Sequence, residues 1–261
     1  MYRLSPLVQR HRELLTVSIV SHGHGQMVSA LVQQVLACEE VGQLLLTFNV
    51  PERLVLPDDS RLVVIENSQP RGFGANHNEA FAQCQSQWFV VLNPDVTLQS
   101  NPFPELLRVA APSDVALVSP RATTALGTPE DCWRRFPTVY GLIRKWWGLG
   151  DGRYEHPSPD APAFAVEWVS GLCMCFRSEA YAALNGFDEG FFLYYEDVDI
   201  CARAWRMGMR VLACPAAALV HDGRRASRLS FLHKRWHLKS MLRYFAKHWC
   251  RLPRGGGADL G

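Results

Sequence analysis

No stretch of this 261-residue chain approaches the ~20 consecutive apolar residues that a bilayer-spanning helix requires. Met1 to Thr16 is broken by Pro6, Arg10, His11, Arg12 and Glu13, so it does not read as a signal peptide. Both absences predict a cytoplasmic protein whose membrane contact is peripheral. The eight cysteines (Cys38, Cys84, Cys132, Cys173, Cys175, Cys201, Cys214, Cys250) lack the Cys-x-x-Cys spacing of a zinc site and form no short secreted framework. They read as reduced thiols, and Cys173 and Cys175, alternating with Met174, read as small core residues on one strand face. Charge of one sign is missing too: a net +2 excludes a general nucleic-acid binder. The surplus is uneven, since cations recur from Arg224 to Arg254 against only Asp222 and Asp259. Such a segment seeks an anionic surface. No internal repeat and no clean linker divides the chain.

What is present is ordinary globular material, 48% hydrophobic and 20% charged, with enough apolar residues for a sizeable core. Leu14–Ser21 reads as a buried strand ending in the polar His22-Gly-His-Gly25, and a helix from about Gln26 to Cys38 follows. Further strands are expected at Leu44–Phe48, ending at Asn49-Val-Pro51, and at Arg61–Glu66. Alternation of strand and helix predicts a mixed, mostly parallel sheet flanked by helices, with ligands bound beyond the carboxyl ends of the strands. Next comes Arg71-Gly-Phe-Gly-Ala-Asn-His-Asn78, whose glycines let backbone approach a ligand ahead of a helix from about Glu79 to Cys84. The apolar strand Trp88–Leu92 runs into Asn93-Pro-Asp95. An acid at the end of a central strand, on a proline-stiffened turn, suits a hard divalent cation.

After a strand at Val115–Ser119 the periodicity fades, and the Pro- and Asp-rich segment Asp151–Pro162 is a candidate lid or binding loop. A strand at Phe164–Phe176 and a short helix at Ser178–Leu184 lead to Gly186-Phe-Asp-Glu-Gly-Phe-Phe-Leu-Tyr-Tyr-Glu-Asp-Val-Asp-Ile200. Here five carboxylates, those of Asp188, Glu189, Glu196, Asp197 and Asp199, lie among aromatic residues that restrict water. A helix reading Glu196–Met207 puts Glu196 and Asp197 in its first turn, where the dipole favours negative charge. The site can hold a base, or the acids can simply cap the helix. Val211–Cys214 is the last expected strand, delivering His221, and a helix from about Ser230 to Trp249 closes the fold.

Four motifs in this order, Ser21-His22-Gly23-His24, Gly72 to Asn78, Asn93-Pro-Asp95 and Gly186 to Asp199, resemble the inverting GT-A glycosyltransferases of family two. Arg135-Phe-Pro137, Glu167-Trp-Val-Ser-Gly171 and Arg235-Trp-His-Leu-Lys-Ser240 are similar, more narrowly, to bacterial rhamnosyltransferases that build O-antigen. The resemblance covers roughly residues 14 to 250. It implies a single GT-A domain over 1–250, with a nucleotide-sugar half (14–97), an acceptor half (98–220), a basic C-terminal helix (221–250) and a disordered tail (251–261). It further implies dTDP-L-rhamnose as donor, a lipid-diphosphate-linked sugar as acceptor, and Mg²⁺ or Mn²⁺ as cofactor. Residue by residue, Asp197 becomes the base, and Asp95 and His221 the metal ligands. Ser21, His22, Asn49, Gly72, Gly74, Asn78 and Asn93 are placed with the nucleotide sugar, and Trp168, Gly171 and Glu196 with the acceptor. Arg224 and Arg225, just past His221, are candidates to clamp a diphosphate. There are departures. Phe48 stands where relatives carry an acid, and Asn93 opens the metal motif in place of Asp. Alternatives are another nucleotide-sugar donor on the same fold, or a non-catalytic nucleotide-sugar binding subunit.

In the C-terminal helix, Phe231, Leu238, Met241, Leu242, Phe245 and Trp249 recur at helical spacing and are expected to pack on the domain. Lys239, Arg243 and Lys247, with Trp236, form another face suited to anionic lipid headgroups, and Trp146 and Trp147 beside Arg144 and Lys145 suit a second lipid contact.

Overall fold

The computed structural model describes residues 15–150, 152–154, 157–221, 231–248 and 251–253. Its strands are β1 (Leu15–Ser21), β2 (Val41–Phe48), β3 (Leu62–Glu66), β4 (Trp88–Leu92), β5 (Val96–Thr97), β6 (Val115–Thr123), β7 (Trp133–Arg134), β8 (Phe164–Ala165), β9 (Trp168–Val169), β10 (Cys173–Arg177) and β11 (Arg210–His221). The helices are α1 (Gln26–Leu36), α2 (Phe73–Phe81), α3 (Phe103–Ala110), α4 (Val139–Trp146), α5 (Ser178–Ala183), α6 (Glu196–Arg206) and α7 (Phe231–His248).

Nine strands share one sheet in the order β3-β2-β1-β4-β10-β6-β11-β5, with β8 added beside β11. The half from β3 to β4 is parallel, β10 runs antiparallel between β4 and β6, and β6 and β11 are again parallel. β4 is buried at every position, as strands covered on both faces must be. Because β10 pairs with β4, the expected nucleotide and acceptor halves share one sheet and one apolar core. Parallel strands end together, so the loops after β1, β2 and β4 gather at one edge.

β11 carries a break with a later consequence. Val211 to Cys214 pair with Leu117 to Pro120, and Ala218 to Val220 with Arg121 to Thr123, leaving Pro215, Ala216 and Ala217 outside the ladder. The strand then continues to His221, opposite Val96 of β5.

Several expectations are corrected. α2 begins at Phe73, with Gly72 as its N-cap, six residues before the helix start expected at Glu79. A Cβ on Gly72 would meet the Phe192 carbonyl oxygen at 2.7 Å, and one on Gly74 would meet Phe187 Cβ at 2.6 Å. These glycines admit residues 187–192. α3 forms between Asn93-Pro-Asp95 and the Val115 strand, where no element was expected, α4 forms where the periodicity fades, and the strand expected at Phe164–Phe176 is three short ones. Its polar interruptions, Glu167 and Ser170, sit between the pieces. The last strand runs on past Cys214 to His221.

α7 shows the largest difference. Its inner face is Ser240, Tyr244 and His248, whereas Phe231, Leu238 and Leu242 are exposed. Polar partners override the apolar stripe: His248 and Lys247 both reach the buried carboxylate of Asp199, each at 2.7 Å. Arg251 to Pro253 are also placed, the Arg251 carbonyl accepting from Arg206, so this part of the expected tail packs on the domain. Trp249, Arg224, Arg225 and residues 254–261 lie outside the described residues. Among the described residues, no helix is long and apolar enough to cross a membrane.

Candidate active site

Asn93 and Asp95 leave the end of β4, and His221 arrives from the end of β11. His221 Nε2 lies 3.2 Å from Asp95 Oδ2, and Asn93 Nδ2 donates to Asp95 Oδ1 at 2.9 Å. Two neighbouring ligands of one small divalent ion, each about 2.1 Å from it, stand about 3 Å apart. The Asp95–His221 pair therefore fits a shared ion. Both side chains are mostly buried, and Glu130 Oε2 stands 3.7 Å from the remaining ring nitrogen. Although burial opposes it, the contact with His221 holds the Asp95 carboxyl below its usual range. No group of three or more His, Cys, Asp or Glu converges on a metal position among the described residues.

Beside this pair opens a cavity of about 890 Å³, lined by Asn93, Glu167, Trp168, Gly171, Glu196 and Asp197 among others. Asn93 thus borders both metal pair and cavity. α6 presents the two acids because the preceding Tyr194 and Tyr195 adopt left-handed backbone, φ 71° and 66°. Such residues cost of order 1–3 kcal/mol each and persist only where surroundings hold them. α7 does the holding: Tyr194 Oη is 2.9 Å from His233 Nδ1, and the Tyr195 ring packs on His237 and Tyr244.

The two acids have different environments. Asp197 Oδ2 accepts from the Gly171 amide at 3.1 Å, and Oδ1 from the Val198 amide at 2.8 Å. Glu196 is buried, with Oε2 lacking any partner among the described residues. Burial raises both carboxyls, and in Glu196 the neighbouring Asp197 charge raises it further. Amide donors favour the ionised form, and two of them reach Asp197. That arrangement supplies a base in a water-restricted pocket.

The nucleotide side is built differently from expectation. Ser21 Oγ donates to Glu52 Oε1 at 2.6 Å, and the same carboxylate accepts from Gly23 and Gly25 amides at 2.6 and 3.2 Å. Glu52 thereby fixes the loop after β1. Asn49 is occupied: its Oδ1 accepts from Asn67 and the Arg71 amide, and its Nδ2 donates to the Arg71 carbonyl, with His22 Nδ1 3.2 Å away. Asn78 also faces elsewhere, bonding Phe187, Glu189 and Tyr181. The structure thus gathers Asp95, His221 and Asn93, and separately Asp197, Glu196, Gly171 and Trp168. Asn78 joins neither group. Glu52, Glu130 and Glu167 were missed. Of these, Glu52 had a signal in the proline three residues past a parallel strand, and Glu167 stood in the Glu167-Trp-Val-Ser-Gly171 motif without an assigned role.

The model of the family described as "Glycosyltransferase like family 2" matches residues 15–238. The chain belongs to that family. It is similar to Rhamnosyltransferase WbbL of Escherichia coli (strain K12), 27% identical over 90% of this chain and 93% of that protein. It is also similar to the N-acetylglucosaminyl-diphospho-decaprenol L-rhamnosyltransferase of Mycobacterium tuberculosis (strain ATCC 25618 / H37Rv), 28% identical over 64% of this chain and 58% of the other. In fold it resembles GalNAc-T7 solved with UDP, GalNAc and Mn²⁺ (TM-score 0.64, 13% identity), covering 80% of this chain and 43% of that one. The mannosyltransferase PcManGT of Pyrobaculum calidifontis, solved with GDP-Man and Mn²⁺, gives a TM-score of 0.57 at 15% identity, over 89% of this chain and 64% of the other. The fold of this glycosyltransferase is GT-A.

Proposed function

We propose that this glycosyltransferase moves L-rhamnose from dTDP-L-rhamnose to a lipid-diphosphate-linked sugar by a single inverting displacement, at the inner face of a bacterial plasma membrane. One observation carries the reading: Asp197, held by two amides, stands in the cavity bordered by Asn93, which donates to Asp95 of the Asp95–His221 pair. In this scheme Asp197 removes the proton of the incoming sugar hydroxyl, and no enzyme nucleophile is needed. Glu196, Gly171 and Trp168 position the acceptor. Asp95 and His221 would hold Mg²⁺ or Mn²⁺, which neutralises the departing diphosphate. Two rhamnosyltransferases among the relatives support the sugar, and the diphospho-decaprenol in one of their names supports the acceptor class.

A second donor is favoured by a specific observation. Asn49, where the nucleotide base was expected to be read, has its polar groups committed to the protein's own loops. The deciding experiment presents dTDP-rhamnose and a panel of other nucleotide sugars with Mn²⁺ and an N-acetylglucosaminyl-diphospholipid. Rhamnose transfer is expected, and transfer of another sugar alone would overturn the donor assignment. Neither transfer nor metal binding would favour a nucleotide-sugar binding subunit.

A further inference from the structure

α4 is a helix without an inside: none of its residues is buried. Thr138 caps it by accepting from the Gly141 amide, and Arg144 closes its end on the Leu149 carbonyl, so the segment is ordered by its own bonds. Around it Tyr140, Ile143, Trp146, Trp147 and Leu149 are exposed, Trp146 to 85%. An apolar patch of this kind on a globular chain marks a contact surface.

α7 contributes the neighbouring strip. Phe231, Leu238 and Leu242 are seven and four residues apart, which places them on one helical face, and all are exposed. Both helices line the Asp197 cavity, through Leu142 and Lys145 of α4 and His237 and Met241 of α7.

The charge pattern identifies the occupant. Val139–Gly150 and Phe231–His248 contain no acid, while Arg144, Lys145, Lys234, Arg235 and Lys239 flank the apolar residues. Two copies joined through this face would bring those cations together. A bilayer surface with anionic headgroups takes both components at once, the tryptophans at the headgroup level and the cations against phosphate.

We propose that the exposed faces of α4 and α7 form one docking surface for an anionic lipid bilayer, with the mouth of the Asp197 cavity turned toward the membrane. The acceptor sugar then reaches the base without its lipid leaving the bilayer. That last step rests on the lipid-linked acceptor proposed above, whereas the docking surface does not.

The test uses the full chain with vesicles of phosphatidylglycerol mixed with phosphatidylcholine, against phosphatidylcholine alone. Co-sedimentation is expected with the anionic vesicles only, weakening as salt rises, with tryptophan fluorescence quenched by brominated acyl chains. The pair Trp146→Ser/Trp147→Ser and the pair Leu238→Ser/Leu242→Ser should each reduce binding at least about ten-fold, without lowering the melting temperature or nucleotide-sugar hydrolysis in solution. Equal binding to both vesicle types, or wild-type binding by both variant pairs, would overturn the proposal. So would a dimer in light scattering that the same substitutions dissociate. Vesicle binding needs neither donor nor acceptor, and hydrolysis needs no vesicle, so failure here is distinguishable from failure of the transfer reading.

Discussion

At the scale of the residue, the proposed chemistry turns on two adjacent acids made unlike by their donors. Asp197 has two amides and Glu196 has an oxygen with none, so a change at each should read differently. Asp197→Asn is expected to lower kcat by roughly 10²–10⁴-fold while leaving the donor dissociation constant unchanged, measurable by single turnover and calorimetry. Because burial raises the Asp197 carboxyl, the base is protonated at a higher pH than usual. Activity should therefore fall on the acid side with an apparent pKa above the ~4 of a free carboxyl, read from kcat/KM against pH. His221→Ala is expected to abolish Mn²⁺ binding, and Glu130→Gln to weaken it about ten-fold, by titration calorimetry. The placement of Asp95 and Asp197 was legible because one follows a strand and the other opens a helix that hydrophobic pattern locates, whereas His221 ends a strand expected to stop at Cys214. The roles of Glu130 and Glu167 were not legible, since contacts such as His221 to Glu130 span ninety-one positions and leave no spacing to read.

At the scale of the element, α7 is a clamp on α6 and not a greasy lid. Asp199 is completely buried and meets Arg203, His248 and Lys247 at 2.8, 2.7 and 2.7 Å. Asp199→Ala would leave those cationic or polar groups without their shared acceptor, and a loss of about 3–5 kcal/mol is expected in denaturant unfolding. Despite burial, bonds to these partners hold the Asp199 carboxyl far below the ordinary range. Its contribution is thus complete above the unfolded value of about 4 and is lost as pH falls toward the depressed folded one. Stability should decline through that acidic window, and less so in Asp199→Asn. Gly72→Ala is expected to cost roughly 1–3 kcal/mol, because the added Cβ meets the backbone of Phe192, which cannot rotate away. The period of α7 showed which residues share a face. It could not show which face turns inward, because Asp199, the group that decides it, sits on another helix.

At the scale of the whole molecule, one sheet brings both halves of the site to a common edge, and strand identity was the most legible property of the chain. β1 and β4 were found nearly to the residue, β1 being rich in β-branched residues and β4 apolar throughout, while α4 was missed because none of its residues is buried. Binding of nucleoside diphosphate with Mn²⁺ should raise the melting temperature of the wild-type chain, by the equivalent of about 2.7 kcal/mol at a hundred times the dissociation constant. The rise should disappear in Asp95→Ala.

The three residues that β11 carries outside its ladder, Pro215 to Ala217, make His221 sensitive to chain length as well as to residue identity. Side chains alternate along a strand, so His221 faces Asp95 only while Ala218 to Val220 keep their pairing with Arg121 to Thr123, and the unpaired residues must span the distance to that pairing. Loss of Ala216 would shorten that span while leaving Val211 to Cys214 in register and every motif unchanged. The number of residues between Cys214 and His221 is therefore a part of the candidate site that its motifs do not record.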